Sequence, residues 1–442
     1  MTLPDVGSLL QAASVSTTKA SYERVGFVRS VEGLLMRVVG IQAAMGSLCT
    51  ITSARGVRHA EVLGFDGGEH LLLPIAGLEG VAPGDAVHVV ADHIEVPVGP
   101  ACLGRVVDGL GEPIDGLGPI LAPKRRIDAA PPMALERPVI DQALETSVPA
   151  IDGFLTLGRG QRVGIFAGSG VGKSTLLGTI ARTSDIDVNV IALIGERGRE
   201  VQEFLIDVLG QDGLARSVVV VATSDTPALV RVKAVMTALT IAESFRDAGR
   251  DVLLTMDSVT RFASAQREIG LAIGEPPTLR GYPPSFFASL PRIVERLGAT
   301  TSGSITGLLT VLVEGDDLNE PVADTLRGLL DGHVVLDRAL AKRGLYPAID
   351  VLASVSRLMP RLVGPEDLEV ARILRSCLAI LEETRELRQV GAYQPGSDPL
   401  LDRAVAIRGH LESLLHGGGE TVPMQAVRAR MKSLVNDIGG LQ

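Results

Sequence analysis

The chain has 442 residues, and 46% of them are hydrophobic. That length suggests roughly two to four domains, and that composition supports a large core with disorder confined to the ends. The formal net charge of −10 excludes a protein whose main work is coating nucleic acid, and 3% aromatic residues with no tryptophan exclude a single-strand binder built on base stacking. Residues 1–20 carry one short apolar patch, Val6 to Ala13, followed by a polar run, and are expected to form a helix or a loose tail. No basic segment leads into an apolar core there, so a signal peptide is not expected.

From Arg24 to about Val98 the chain reads as short strands broken by turns such as DGG and APGD: VGFVRSV, LLMRVVG, SLCTITS, HAEVLGF, HLLLPI and AVHVVADHIEV. Evenly spaced short strands predict a small barrel or sandwich. Residues 99–150 are rich in Gly and Pro and read as an extended crossing segment. From about Gly160 apolar strands alternate with helices: QRVGIFA and a helix from Lys173, DVNVIALIG and a helix from Arg199, SVVVVAT and a helix over Ala228–Ala248, then DVLLTMD and another helix. Later strands are predicted at ITGLLTVLVEG and AIDVLASV. This alternation predicts a mostly parallel sheet covered by helices on both faces. After Gly364 the apolar spacing is helical. No apolar run of about 18 residues occurs, so no membrane span is expected. Cys49, Cys102 and Cys377 form no CxxC pair, the seven histidines form no HExxH, and His333 reads as structural. A reducing cytoplasmic compartment fits best.

The strand QRVGIFA runs into AGSGVGKST. Against G-x-x-x-x-G-K-[ST], the first position is Ala167, and Gly168, Ser169, Gly170, Val171, Gly172, Lys173, Ser174 and Thr175 follow. Glycines turn backbone N–H groups toward an anion, and the helix N-terminus adds its positive end. Lys173 reaches the β- and γ-phosphates of a nucleotide such as ATP, and the Ser174 hydroxyl ligates Mg²⁺. The alanine matters only if its position needs a positive φ, which Gly168 is free to supply. Asp257 ends the strand DVLLTMD, 84 residues after Lys173. It is the candidate metal-side acid, with a helix-cap role as the alternative.

IALIGERGREVQEF puts Glu196 just past a strand end. Parallel strands end on one edge, so Lys173, Glu196 and Asp257 are expected around one crevice, with the Glu196 strand adjacent to the loop strand. Phosphoryl transfer to water needs a group that positions the water, and Glu196 fits. Arg197 is a candidate to orient Glu196 or touch a phosphate, and Arg261 either faces the nucleotide or pairs with a neighbour. Arg199, Glu200 and Glu203 read as the start of the next helix.

CLGRVVDGLGEPIDG, FAGSGVGKST, GERGREVQEF, LLTMDSVTRFA, GEPPTLRGYPPSFFASLPRIVERLG, TVLVEGDDLNEPVADTLRGLLDGHVVLDR, YPAIDVLASVSR and QVGAYQPGSDPLLD occur in this order over residues 101–405. With these blocks the chain resembles the ATPases of the bacterial flagellar type III export apparatus, relatives of the rotary ATP synthase catalytic subunit. The resemblance implies an α/β protein: a RecA-like P-loop ATPase core with a mostly parallel sheet, an N-terminal small β-barrel and a C-terminal helical domain. The expected parts are 1–20, 21–98, 99–365 and 366–442. It implies a homohexameric ring, cytoplasmic and peripheral at the inner membrane. The implied partners are a stator-like regulatory protein, a coiled-coil central stalk protein, the export gate, and export substrates with their chaperones. Nucleic acid is not among them.

The resemblance also gives Lys173, Ser174, Glu196 and Asp257 the roles above. It makes Arg357 a finger directed into the neighbouring subunit's site, Tyr346 a ring that packs on adenine, and Tyr393 a second wall. The tail after Gly417 matches no family motif. Within the class, an injection-system ATPase and a rotary catalytic subunit are alternatives, and GAYQPGSDPLLD favours the flagellar branch. A ring-shaped nucleic-acid translocase would need basic strands, but residues 60–100 hold seven acidic residues and no Lys or Arg.

Overall fold

The computed structural model describes residues 24–313, 315, 317, 319–396, 398–417 and 421–439. The expected N-terminal tail and Gly418 and Gly419 lie outside the described residues. The chain divides into two compact units between Ile94 and Glu95.

The first unit is a closed barrel of six strands: β1 (Gly26–Glu32), β2 (Leu35–Val39), β3 (Leu48–Ser53), β4 (Gly56–Asp66), β5 (Glu69–Pro74) and β6 (Ala86–Ala91). Their order is β1-β2-β5-β4-β3-β6, and β1 closes on β6 through Gly26 and Val87. Strand side chains alternate with period two, so Val28, Met36, Val38, Ile51, Val62, Leu72 and Val87 all point inward and are buried. Each such side chain stabilises the fold by about 1.5–3 kcal/mol, and closure leaves no unpaired sheet edge.

The second unit is built on a nine-stranded sheet. Its main strands are β7 (Val106–Asp108), β8 (Arg162–Ala167), β9 (Val188–Ile194), β10 (Ser217–Ala222), β11 (Asp251–Asp257), β12 (Ser304–Leu312), β13 (Gly332–Leu336) and β14 (Ile349–Ser356). Their order is β14-β13-β8-β12-β11-β9-β10-β7, parallel except for the β13–β14 pair. The central strands β9 and β10 are buried along their whole length, as strands covered on both faces must be. Three expectations change. The crossing segment supplies an edge strand, β7, parallel to β10. GHVVL forms β13, too short to register as a strand by pattern. The Glu196 strand β9 is not beside the loop strand β8, because β12, from late in the chain, and β11 lie between them.

The helices that matter below are α1 (Pro149–Phe154), α2 (Lys173–Thr183), α3 (Gly198–Glu203), α4 (Ala228–Asp247), α5 (Val259–Ala272), α6 (Pro284–Arg296), α7 (Pro321–Leu329), α8 (Arg338–Lys342), α9 (Pro365–Glu383), α10 (Arg385–Gln389), α11 (Pro399–His416) and α12 (Met424–Asp437). Leu374, Leu411, Val427 and Met431 of the C-terminal helices share one buried apolar cluster with Ile151 and Phe154 of α1 and with Ile165 of β8. The three cysteines are buried and unpaired. His333 packs edge-on against Phe166 and bonds Ala353 O at 3.1 Å, a structural role.

Candidate active site

The strand-to-helix turn after β8 follows from its residue types. Ala167 is the last residue of β8, buried and paired with Leu312 and Leu336. It sits in ordinary strand conformation, so the alanine costs nothing there. The left-handed positions fall at Gly170 (φ 78°) and Gly172 (φ 91°), the latter capping α2. Val171 between them is buried and pins the loop to the core, while Ser169, Gly170, Ser174 and Thr175 face outward. A Cβ at Gly172 would lie 3.3 Å from the Tyr346 ring, so the glycine lets that ring close on the loop.

β8, β12, β11 and β9 all end on one sheet edge. Leu193 is in register with Asp257, which brings Glu196, two residues beyond β9, beside that carboxylate. Lys173 Nζ pairs closely with Asp257 Oδ1 and lies 3.8 Å from Glu196 Oε1. These three side chains are 4–15% exposed. Asp257 does not cap α5: Ser258 does, accepting from the Arg261 N–H at 3.4 Å. Gly195 has φ 70°, and a Cβ there would meet the Arg261 Cβ at 2.8 Å. Arg261 therefore packs over the strand tip next to Glu196.

Two buried carboxylates around one ammonium leave a net negative charge. Burial first, and Asp257 second, push the Glu196 carboxyl up to about 7 against the pull of Lys173. A hydrogen bond with Glu200 adds to the rise. Glu196 Oε1 is buried and has no hydrogen-bond partner, an arrangement that asks for a water or a cation shell. The oxygen donors on offer, the Ser174 hydroxyl and the Asp257 carboxylate, are the hard ligands that suit Mg²⁺ when substrate phosphates and water complete its shell. Among the described residues no group of three or more His, Cys, Asp or Glu side chains forms a self-sufficient metal cage. The site therefore fits Mg²⁺ bound together with a nucleotide.

The other candidates are distributed differently. Arg197 is 81% exposed and pairs with Glu200 at 3.6 Å, so it reaches Glu196 only through Glu200. Arg199 pairs with Glu203 at 3.3 Å, an ordinary helix-surface pair. The Tyr393 hydroxyl bonds Asp402, and no contact recorded among the described residues joins it to the loop. Arg357 lies elsewhere. β14 begins level with Ala167 and ends level with Val163, so Arg357 sits about 13 Å down the strands from the site edge. It is exposed, and its Nη2 donates to Arg327 O at 3.2 Å. Thr310 was not apparent from pattern. Its Oγ1 donates to Asp257 Oδ1 at 2.9 Å and holds that carboxylate, yet it reads as one more residue of a buried strand.

Residues 147–356 match the ATP synthase alpha/beta family, nucleotide-binding domain. Residues 363–433 match the T3SS EscN ATPase C-terminal domain. The chain is 49% identical over 426 residues to the flagellum-specific ATP synthase of Bacillus subtilis (strain 168), covering 94% of this chain and 96% of that one. It is 51% identical over 391 residues to the type 3 secretion system ATPase of Xanthomonas euvesicatoria, covering 88% of each. The assembled ATPase EscN in complex with its central stalk EscO, from the enteropathogenic E. coli type III secretion system, superposes with a TM-score of 0.85 at 42% identity, covering 94% of this chain and 100% of EscN. A phosphate loop facing two buried carboxylates, on a chain matched nearly end to end, places this protein in the family of flagellum-specific ATP synthases and type III secretion ATPases.

Proposed function

We infer that this chain hydrolyses ATP to energise type III protein export, in the flagellar branch of the family. One observation carries the chemistry: Lys173 stands between Asp257 and Glu196 at the sheet edge where the phosphate loop opens. The loop N–H groups and Lys173 hold the β- and γ-phosphates, and Tyr346 offers its ring to the adenine. Mg²⁺, when bound, neutralises charge on the phosphates, with Ser174 and Asp257 as its protein ligands. Glu196, freed from sharing Lys173 once phosphates bind, accepts the proton of the attacking water.

Arg357 cannot serve the same chain's site, because it is exposed at the opposite edge of the sheet. We assign it to a neighbour's site in a homohexameric ring, where a finger contributes on the order of 10³–10⁵ in rate. Tyr393 as a second adenine wall rests on the family pattern. The working parts are a barrel over 21–98, an ATPase domain over 99–365 and a helical domain over 366–442. Among the described residues no helix is long and apolar enough to cross a membrane. The proposed setting is the cytoplasmic face of the inner membrane, with a central stalk protein, a stator-like regulator, the export gate, and substrates with their chaperones as partners. The flagellar branch follows from GAYQPGSDPLLD, with the injection-system branch as the second reading because relatives from both branches are equally similar. Glu196→Gln tests the chemistry: it should bind nucleotide as the wild type does and lose nearly all turnover. Near wild-type hydrolysis by that variant would overturn the role of Glu196.

A further inference from the structure

A cavity of about 320 Å³ opens between α8, α9, α10 and α11, lined by Leu345 next to Tyr346 but by no residue of the phosphate loop. Its size is that of small-ligand pockets, which start at about 300 Å³. Its floor is apolar, with Leu345, Leu378, Leu381 and Leu411 among its residues. Its walls carry four guanidinium groups, from Arg343, Arg385, Arg388 and Arg408, against two carboxylates, Glu382 and Glu412.

The carboxylates are already engaged. Glu412 Oε1 takes Arg343 at 3.3 Å and Arg408 at 3.2 Å, and Glu382 takes Arg385 at 3.2 Å. Arg388 is bonded to Thr384 Oγ1 and to Leu381 O, both neutral acceptors. Burial first, then the like charge of Arg408, lowers its proton affinity, partly offset by Glu382 and Glu412. His416, the remaining titratable group lining the pocket, donates to Pro347 O at 3.0 Å, and burial keeps it toward the neutral form. The pocket thus holds two positive charges in excess over an apolar floor.

We propose that this pocket binds a soluble organic phosphate monoester of nucleotide size, its dianionic phosphate on Arg388 and Arg408 and its apolar body on the leucine floor. A dianion matches the excess charge. Planar guanidinium groups pair with phosphate oxygens in a two-pronged geometry that a lone carboxylate uses less fully. A purely apolar ligand would leave the excess positive charge unneutralised, and inorganic phosphate would leave the floor uncovered.

The test is equilibrium dialysis of the full chain with radiolabelled AMP, with the phosphate loop filled by saturating Mg-AMPPNP. One further AMP per chain is expected. Arg388→Gln and Arg408→Gln should each weaken it at least tenfold without lowering the melting temperature. If Arg388→Gln does not fold, Arg408→Gln decides. Absence of saturable AMP binding beyond the filled phosphate loop, or equal affinity in a folded arginine variant, would overturn the pocket. Because AMP binding is read without turnover, this result stands apart from the hydrolysis assay on Glu196→Gln. Competition by phosphatidic-acid vesicles would move the ligand's source to a lipid headgroup while supporting the same phosphate chemistry, and no competition supports a soluble source.

Discussion

Glu196 is held at about 7 by burial and by Asp257, so the nucleotide-free enzyme changes charge near neutrality. In the proposed mechanism its charged form is the proton acceptor. Below about 7, kcat/KM for ATP is expected to fall on the order of tenfold per pH unit, a limb absent from the residual rate of Glu196→Gln. Stability runs the other way. A carboxyl raised above its ordinary value favours the folded state at low pH, and that contribution is lost as pH rises through about 7. Above that point Glu196→Gln should therefore unfold at a higher temperature than the wild type, by on the order of 1 kcal/mol of stability. Thr310→Val keeps the shape of a buried side chain but removes the hydroxyl from Asp257 Oδ1. It should raise the Mg²⁺ concentration for half-maximal hydrolysis by about threefold to tenfold with the fold intact, as one lost charge-assisted hydrogen bond would. An unchanged Mg²⁺ dependence would remove Thr310 from the site.

Elements bring these residues together, and some are tied by charge rather than by apolar packing. Arg296 at the end of α6 meets Glu243 of α4 through two bonds, at 2.7 and 2.8 Å, with both side chains 4% exposed. Arg296 also donates to Ile127 O and Thr240 Oγ1. Removing one partner strands a buried charge, so Arg296→Met should cost about 3–5 kcal/mol in urea unfolding. Adding Glu243→Leu should recover much of that loss, because the pair contributes less than its breakage costs. The loop, the strand before it and the helix after it were legible in AGSGVGKST because every determinant is local: glycine φ, helix capping, apolar periodicity. Asp257 and Glu196 were legible as strand-end carboxylates for the same reason. Strand order was not, since the insertion of β12 between β8 and β11 depends on pairings distant in sequence, Arg162 with Gly307 and Asp251 with Ser304. The Thr310 contact with Asp257 was hidden for that reason too, as no local pattern marks what a strand side chain will meet, whereas the pairing of Arg197 with Glu200, three residues apart, lies within reach of helix spacing.

At the scale of the whole molecule, β14 separates two residues that are proposed to serve opposite sides of a shared site. The segment that enters it carries Tyr346 beside the phosphate loop, and the residue that leaves it is Arg357 on the opposite edge. Under the proposed assignment of Arg357 to a neighbour, a single chain would hold an incomplete site and the missing piece of another, the geometry of a closed head-to-tail ring. Activity per chain should rise with protein concentration as such rings form. Mixing two inactive variants tests this most directly. Glu196→Gln chains keep the finger, and Arg357→Ala chains keep the water-activating carboxylate. In a randomly mixed ring about a quarter of sites pair an intact Glu196 with an intact neighbouring Arg357. The mixture should therefore recover about a quarter of wild-type ATPase activity from two nearly silent parents. A mixture no more active than its parents, in rings shown to exchange subunits, would contradict the shared site.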